Sequence, residues 1–199
     1  MNYSKVNQIA KGWSSYIWII RDKNGKEFVL KEVREKSPRK DLANREGKML
    51  LLANSVEVGP KVIEVNFEEN FVVMEYIRGV KFFDWVMNEG PCKEKKFEKE
   101  VSAEELYFFI KELYRQLIAL EKIHLSHNQL QVGKNILVEK RFCKKTKKEQ
   151  YFPIIIDFEK ATLKYENHTK NIGQVDAMLF YNPNGAIGKK LREKLNLSL

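Results

Sequence analysis

The apolar pattern changes period at Gly79, and this change restricts the chain to a two-part fold. Before Gly79 the apolar runs are short, β-branched and separated by turns. "YIWIIRD" and "KEFVLKEV" flank "KNG", a hairpin signature in which Asn24-Gly25 is expected to supply the positive-φ positions. Ser37 and Pro38 then read as the N-cap and first residue of a helix carrying Leu42, Glu46, Met49, Leu50 and Ala53. "KVIEVNF" and "FVVMEYI" read as two further strands joined by a Glu-Glu-Asn turn.

After Gly79 the period becomes helical. "KFFDWVMNEG" predicts a short helix, and the Lys/Glu-rich stretch 91–101 predicts a solvated segment. "SAEELYFFIKELYRQLIALEKIH" predicts a long helix capped by Ser102, with Leu106, Ile110, Leu113, Leu117 and Leu120 as its apolar stripe. "NILVE" and "FPIIID" read as a hairpin with "KRFCKKTKKEQ" as its basic tip, and "GKKLREKLNLSL" as a terminal helix. The expected organisation is a strand-rich lobe with one helix over 1–74, a connector over 75–79, and a mainly helical lobe over 80–199 carrying one hairpin.

Composition narrows the function classes. With 43% of 199 residues hydrophobic, the chain can build one large domain or two small lobes. The formal charge of +9, from 36 Lys plus Arg against 27 Asp plus Glu, favours acidic partners: nucleotides, nucleic acid or acidic protein surfaces. Cys92 and Cys143 are too few for a disulfide framework and lack metal-ligand spacing. No signal-peptide core or membrane-length apolar run is evident, so a soluble, cytoplasmic protein without membrane contact is expected.

Several residues carry possible chemistry. Asp157 ends an isoleucine-rich strand, where a carboxylate either starts a turn or serves as a metal ligand. Glu46 falls on the apolar stripe of its helix, and a buried carboxylate needs a cation. Lys31 is the candidate; it shares a strand face with Val29 and Val33, while Phe28 and Leu30 share the other with Glu32. Strand periodicity leaves open which charge points inward. In "AKGWSSYIW", Gly12 permits close approach of backbone to a phosphate, although Ala10 and Ser15 stand where further glycines could be. In "IHLSHNQLQVGKNILVE" a polar loop follows a helix, and Asn135 opens a strand. The hairpin can hold Asn135 and Asp157 at one end of neighbouring strands, where an amide oxygen and a carboxylate suit Mg²⁺.

In this order the motifs resemble the protein-kinase-like fold: α+β, with a small antiparallel β-sheet lobe carrying one helix and a reduced, mainly helical second lobe. "AKGWSS" is similar to the nucleotide loop, "VLK" to the strand lysine motif, and Glu46 to its helix partner. "VMEYI" resembles the hinge, "SHNQL…KN" the catalytic loop and "IDFE" the metal-binding motif. The stretches "VGPKV", "MEYI" and "IDFEKA" resemble an archaeal family of short predicted serine/threonine kinases near the atypical RIO and Bud32 types.

The resemblance implies ATP and Mg²⁺ as cofactors and a protein substrate or autophosphorylation. It implies that Gly12, Trp13, Ser14, Lys31, Glu46, Glu75 and Ile77 contribute to the nucleotide site, the last two through the hinge backbone. It assigns the metal to Asn135 and Asp157, the phosphates to Lys31, and loop orientation to His127. Gln129 stands near the position of the usual catalytic aspartate, two residues after His127 and six before Asn135; Leu130 is five before Asn135. The alternative is an ATP-binding pseudokinase acting as an interaction module. Its RNA or ribonucleoprotein contact would be the basic tip, Lys144, Lys145, Lys147 and Lys148. Glu159, after Asp157-Phe158, reads as a metal ligand, a base, or a partner of Lys160. Little chain follows Asp157, so the substrate-binding helices of larger kinases are expected to be missing.

Overall fold

The computed structural model describes residues 3–37, 40–88, 100–164, 170–182 and 184–195. The chain divides into two compact units. The first comprises Met1–Ile77 together with Asp157–Thr162; the second comprises Arg78–Ile156 and Leu163–Leu199.

The first unit is built on a five-stranded antiparallel sheet. Its strands are β1 (Ser4–Lys11), β2 (Ser15–Arg21), β3 (Glu27–Val33), β4 (Val62–Asn66) and β5 (Phe71–Glu75), in the order β1-β2-β3-β5-β4. The pleat sorts side chains between two faces. Ile20, Phe28, Leu30, Phe71 and Val73 form an apolar cluster on one, with Trp18 and Tyr3 packed against it. Lys31 pairs with Val72 and lies on the other face. Glu32, on the Trp18 side, accepts hydrogen bonds from Lys5 Nζ (2.7 Å) and Trp18 Nε1 (2.8 Å). Lys31 is therefore the inward charge, which alternation alone left open.

A wide turn, Ala43–Gly47, leads into helix α1 (Lys48–Asn54). Gly47 permits its close approach to the sheet: a Cβ there would lie 2.7 Å from Val65 Cγ1. Two local expectations are corrected. Ser37 is not a helix cap: helical geometry starts at Leu42, after non-helical Lys40 and Asp41, and the Asn70 side chain from the β4–β5 turn accepts the Ala43 N–H there at 2.8 Å; Pro38 lies outside the described residues. In the β2–β3 turn Gly25 has φ 80° while Asn24 does not enter the positive-φ region. The Asp22 carboxylate accepts the Asn24 and Lys26 N–H groups, both at 2.9 Å, so a single left-handed residue closes the turn.

In the second unit, β6 (Val80–Lys81), β8 (Ile136–Cys143) and β9 (Lys148–Ile155) form a small antiparallel sheet. Around it lie helices α2 (Phe82–Met87), α3 (Ala103–Lys122), α4 (Asn171–Asp176) and α5 (Ala186–Leu195), with the short strand β7 (Leu125–Ser126) following α3. Ser102 and Glu105 form the capping box of α3. The buried stripe of α3 contains Leu106, Phe109, Leu113, Gln116, Leu117 and Leu120. Ile110, expected in that stripe, is only half-buried; the stripe turns toward Phe109, which stacks on Phe82 at 4.9 Å between centroids.

The expected hairpin tip is largely strand: pairing continues to Cys143 opposite Lys148, and only residues 144–147 turn. An ion pair between Lys140 and Glu149 (2.5 Å) joins the extended strands. The terminal helix is present from Ala186 to Leu195, whereas most of the Lys/Glu-rich stretch 91–101 falls outside the described residues.

Candidate functional site

The first unit concentrates its buried charge around Lys31. Strand β3 points the ammonium toward the helical segment, where its Nζ lies 2.5 Å from Glu46 Oε2 and donates to Asp157 Oδ1 at 2.7 Å. Glu46 is 1% exposed and Lys31 5%. The Asp157 side chain, at 36%, is the most open of the three. Asp157 adopts a left-handed conformation (φ 67°, ψ 65°) before the short helical turn Phe158–Lys160. That conformation costs free energy in a non-glycine residue, which contact with Lys31 offsets.

Glu159 brings a third carboxylate. Carboxylate oxygens of Glu46, Asp157 and Glu159 all lie within 4.8 Å of one another. With all three ionised and Lys31 protonated, the group carries a net charge of −2. Burial and these neighbouring charges together set the titration of the group. Burial, opposed by Lys31 but reinforced by Asp157 and Glu159, pushes the Glu46 carboxyl up to about 7. Burial alone would lower the Lys31 ammonium; the carboxylates of Glu46 and Asp157 together overcome this and raise it above the ordinary lysine value. Both directions mean that the group holds its protons strongly. A divalent cation with a preference for hard oxygen ligands matches both the charge and the donors. Glu46 is engaged with Lys31 and buried, which leaves Asp157 as the carboxylate open to such an ion.

The turn between β1 and β2 belongs to the same unit. Gly12 N–H donates to Ser15 O at 2.8 Å, and Trp13 stands 77% exposed. Ser14 is 4% exposed and its hydroxyl donates to Glu159 Oε2 at 2.6 Å. At the end of β5, Glu75 N–H donates to Lys61 O at 2.8 Å; Ile77 is buried. The structure thus joins Lys31, Glu46 and Asp157 directly, and adds the Ser14–Glu159 contact, for which the sequence offered no signal: the partners stand 145 positions apart.

Gln129 and Asn135 lie in the second unit, on a loop held by buried polar groups. The His127 ring is fully buried and donates Nε2–H to Ile156 O at 2.9 Å, since a carbonyl can only accept. Asn171 accepts His127 N–H at 2.8 Å and donates to Leu125 O at 2.7 Å. Gln174 accepts Leu130 N–H at 2.8 Å. Asn135 Nδ2 donates to Gln129 O at 3.3 Å. Leu130 is fully buried, whereas Gln129 beside it is half-buried and offers a polar side chain near the expected base position. Asn171 and Gln174 escaped sequence reading because they act 44 residues from their partners.

No family model and no curated protein matches the chain. Solved structures do. The Rio2 kinase of Chaetomium thermophilum, as an ADP/Mg²⁺-phosphoaspartate complex, matches with a TM-score of 0.64 and 17% identity over 99% of this chain. A second Rio2 kinase structure from that organism gives 0.60 and 19%, again over 99% of this chain. The autoinhibited serine kinase domain of the giant muscle protein titin gives 0.59 and 16% over 81%. The chain spans 57%, 59% and 46% of those three chains. At such identities the likeness is one of fold: the chain has a protein-kinase-like fold, with an antiparallel sheet and a mainly helical second unit.

Proposed function

We propose that the protein is an ATP- and Mg²⁺-dependent phosphotransferase of the serine/threonine kinase type, related to the short archaeal kinases and working in the cytoplasm. The observation that carries this reading is the buried Lys31 ammonium clasped by Glu46 and Asp157. Glu46 orients the lysine; the ammonium neutralises phosphate charge; Asp157 offers its more exposed carboxylate to Mg²⁺. That ion, when bound, would supply charge stabilisation for the transferring phosphoryl group. Asn135 is assigned as the second ligand: with its amide nitrogen donated to Gln129 O, its side-chain oxygen is what it can offer. The Gly12–Trp13–Ser14 turn would cover the phosphates and the backbone from Glu75 to Ile77 would hold the base.

Gln129 cannot take a proton as a carboxylate does. It serves in this reading as a hydrogen-bonding group that orients the acceptor hydroxyl, of a protein substrate or of the chain itself. Single-turnover transfer of the ATP γ-phosphate to a broad set of proteins and to the protein itself tests the assignment. Transfer abolished in Lys31→Met and Asp157→Ala supports it; nucleotide binding without any transfer rejects it.

The buried Leu130 and the neutral Gln129 favour a second reading, a nucleotide-binding module that transfers no phosphate and contacts RNA. Its support is the β8–β9 turn. Lys144, Lys145, Lys147 and Lys148 are exposed and have no ion pair among the described residues, and Phe142, 64% exposed, stands beside them. Lysines against phosphates and a ring against a base are the parts of a single-strand contact. Under this reading RNA affinity falls steeply with salt, and reversing the four charges abolishes it; affinity unchanged by the reversal rejects the contact.

A further inference from the structure

The β1–β2 turn lacks the extra glycines of a mobile phosphate loop, and side chains fix it instead. Arg34 Nη1 donates to Gly12 O at 2.9 Å and to Trp13 O at 3.2 Å, while Arg34 N–H donates to Ser14 O at 2.9 Å. Gly12 N–H closes the turn on Ser15 O. A further hold is the Ser14 hydroxyl on Glu159, whose residue is 8% exposed. Glu159 follows Asp157 by two residues on one short helical turn. This hydrogen bond ties the turn to the segment that presents Asp157.

We propose that Glu159 is a positioning residue: by accepting the Ser14 hydroxyl it fixes the Gly12–Ser14 turn in register with Asp157 before any nucleotide arrives. This rests on the nucleotide-binding reading above. A flexible loop loses conformational freedom when it closes on phosphates, and a pre-ordered turn avoids much of that loss. Glu159 is suited to this task by its burial and by its engaged Oε2. Asp157, two residues earlier, has the more open side chain and is left to meet the metal.

The test uses the full chain and three variants: Ser14→Ala, Glu159→Ala and Glu159→Gln, the last keeping an oxygen acceptor for the hydroxyl. Amide hydrogen exchange at Gly12 and Arg34, without nucleotide or metal, reads the turn; calorimetry with ATP, in chelator and again with Mg²⁺, reads binding. Loss of one hydrogen bond should make Ser14→Ala and Glu159→Ala exchange about threefold to tenfold faster and bind ATP weaker by a similar factor. Glu159→Gln should recover most of both losses. If the wild type binds no ATP, the nucleotide reading fails while the exchange data still decide the anchor. Unchanged exchange in Ser14→Ala overturns the proposal. So does a Glu159→Gln variant that loses only Mg²⁺-dependent affinity while Ser14→Ala keeps it, because Glu159 would then be a metal ligand.

Discussion

The Lys31 ammonium lies 2.5 Å from the Glu46 carboxylate, and both side chains are almost fully buried. Desolvating two charges is expensive, so the pair's value shows when one partner is removed. Lys31→Met leaves the carboxylates without their cation and should cost about 3–5 kcal/mol. Lys31→Met combined with Glu46→Leu should recover part of that loss, since no buried charge then remains at Glu46. Denaturant unfolding of the double-mutant cycle measures the coupling. Strictly additive losses would contradict it.

Stability should also depend on pH through Glu46. Its carboxyl is pushed up to about 7 from an ordinary 4.5, first by burial. Between those values the folded chain holds a proton that the unfolded chain has lost. The resulting stabilisation is complete below pH 4.5 and disappears as pH rises through 7. In metal-free buffer, the Tm of wild type minus that of Glu46→Gln should decrease across this window. A difference that rose with pH would reverse the sign and the assignment.

Gly47 should be intolerant of a side chain. Its Cβ would meet Val65 Cγ1 at 2.7 Å and Val72 Cγ2 at 3.4 Å, so Gly47→Ala forces the helical segment off the sheet. The expected cost is about 1–3 kcal/mol, despite alanine's better helix propensity. Val65→Ala in the same chain should relieve most of it. Chemical denaturation of Gly47→Ala, Val65→Ala and the double variant checks this; no relief would place the strain elsewhere.

Much of this was legible from periodicity and local chemistry. Leu106, Leu113, Leu117 and Leu120 mark α3, and Ser102 with Glu105 marks its start, because those signals operate within a turn or two. The pairing of Glu46 with Lys31 was legible from a carboxylate placed on an apolar helix face, whereas the Asp157 bond to Lys31 was not, because those residues stand 126 positions apart. What remained hidden acts over long separations. Asn70 accepts the Ala43 N–H at a helix start 27 residues away. Ser14 meets Glu159 and Asn171 meets His127 through tertiary packing that no local pattern encodes. Asn24 was misread for a local reason: the Asp22 carboxylate chose a different turn.

Gln129 should contribute less than Asp157. One neutral hydrogen bond is weaker than a charged ligand to a divalent cation. Gln129→Ala should slow single-turnover phosphate transfer by about tenfold, while Asp157→Ala abolishes it. Gln129→Asp restores a proton acceptor and should raise turnover. Equal damage from Gln129→Ala and Asp157→Ala, with folding and ATP binding intact, would require a new chemical role for this loop.

The most direct measurement is calorimetry of ATP binding, with and without Mg²⁺, to wild type and Asp157→Ala. Asp157 bonds to Lys31 and has the most exposed side chain of the Lys31–Glu46–Asp157 group. The expected result is tighter binding with Mg²⁺ in wild type, loss of that gain in Asp157→Ala, and a smaller change without the ion. Equal weakening in both conditions, or no ATP binding by the wild-type chain, would contradict the nucleotide and metal assignment.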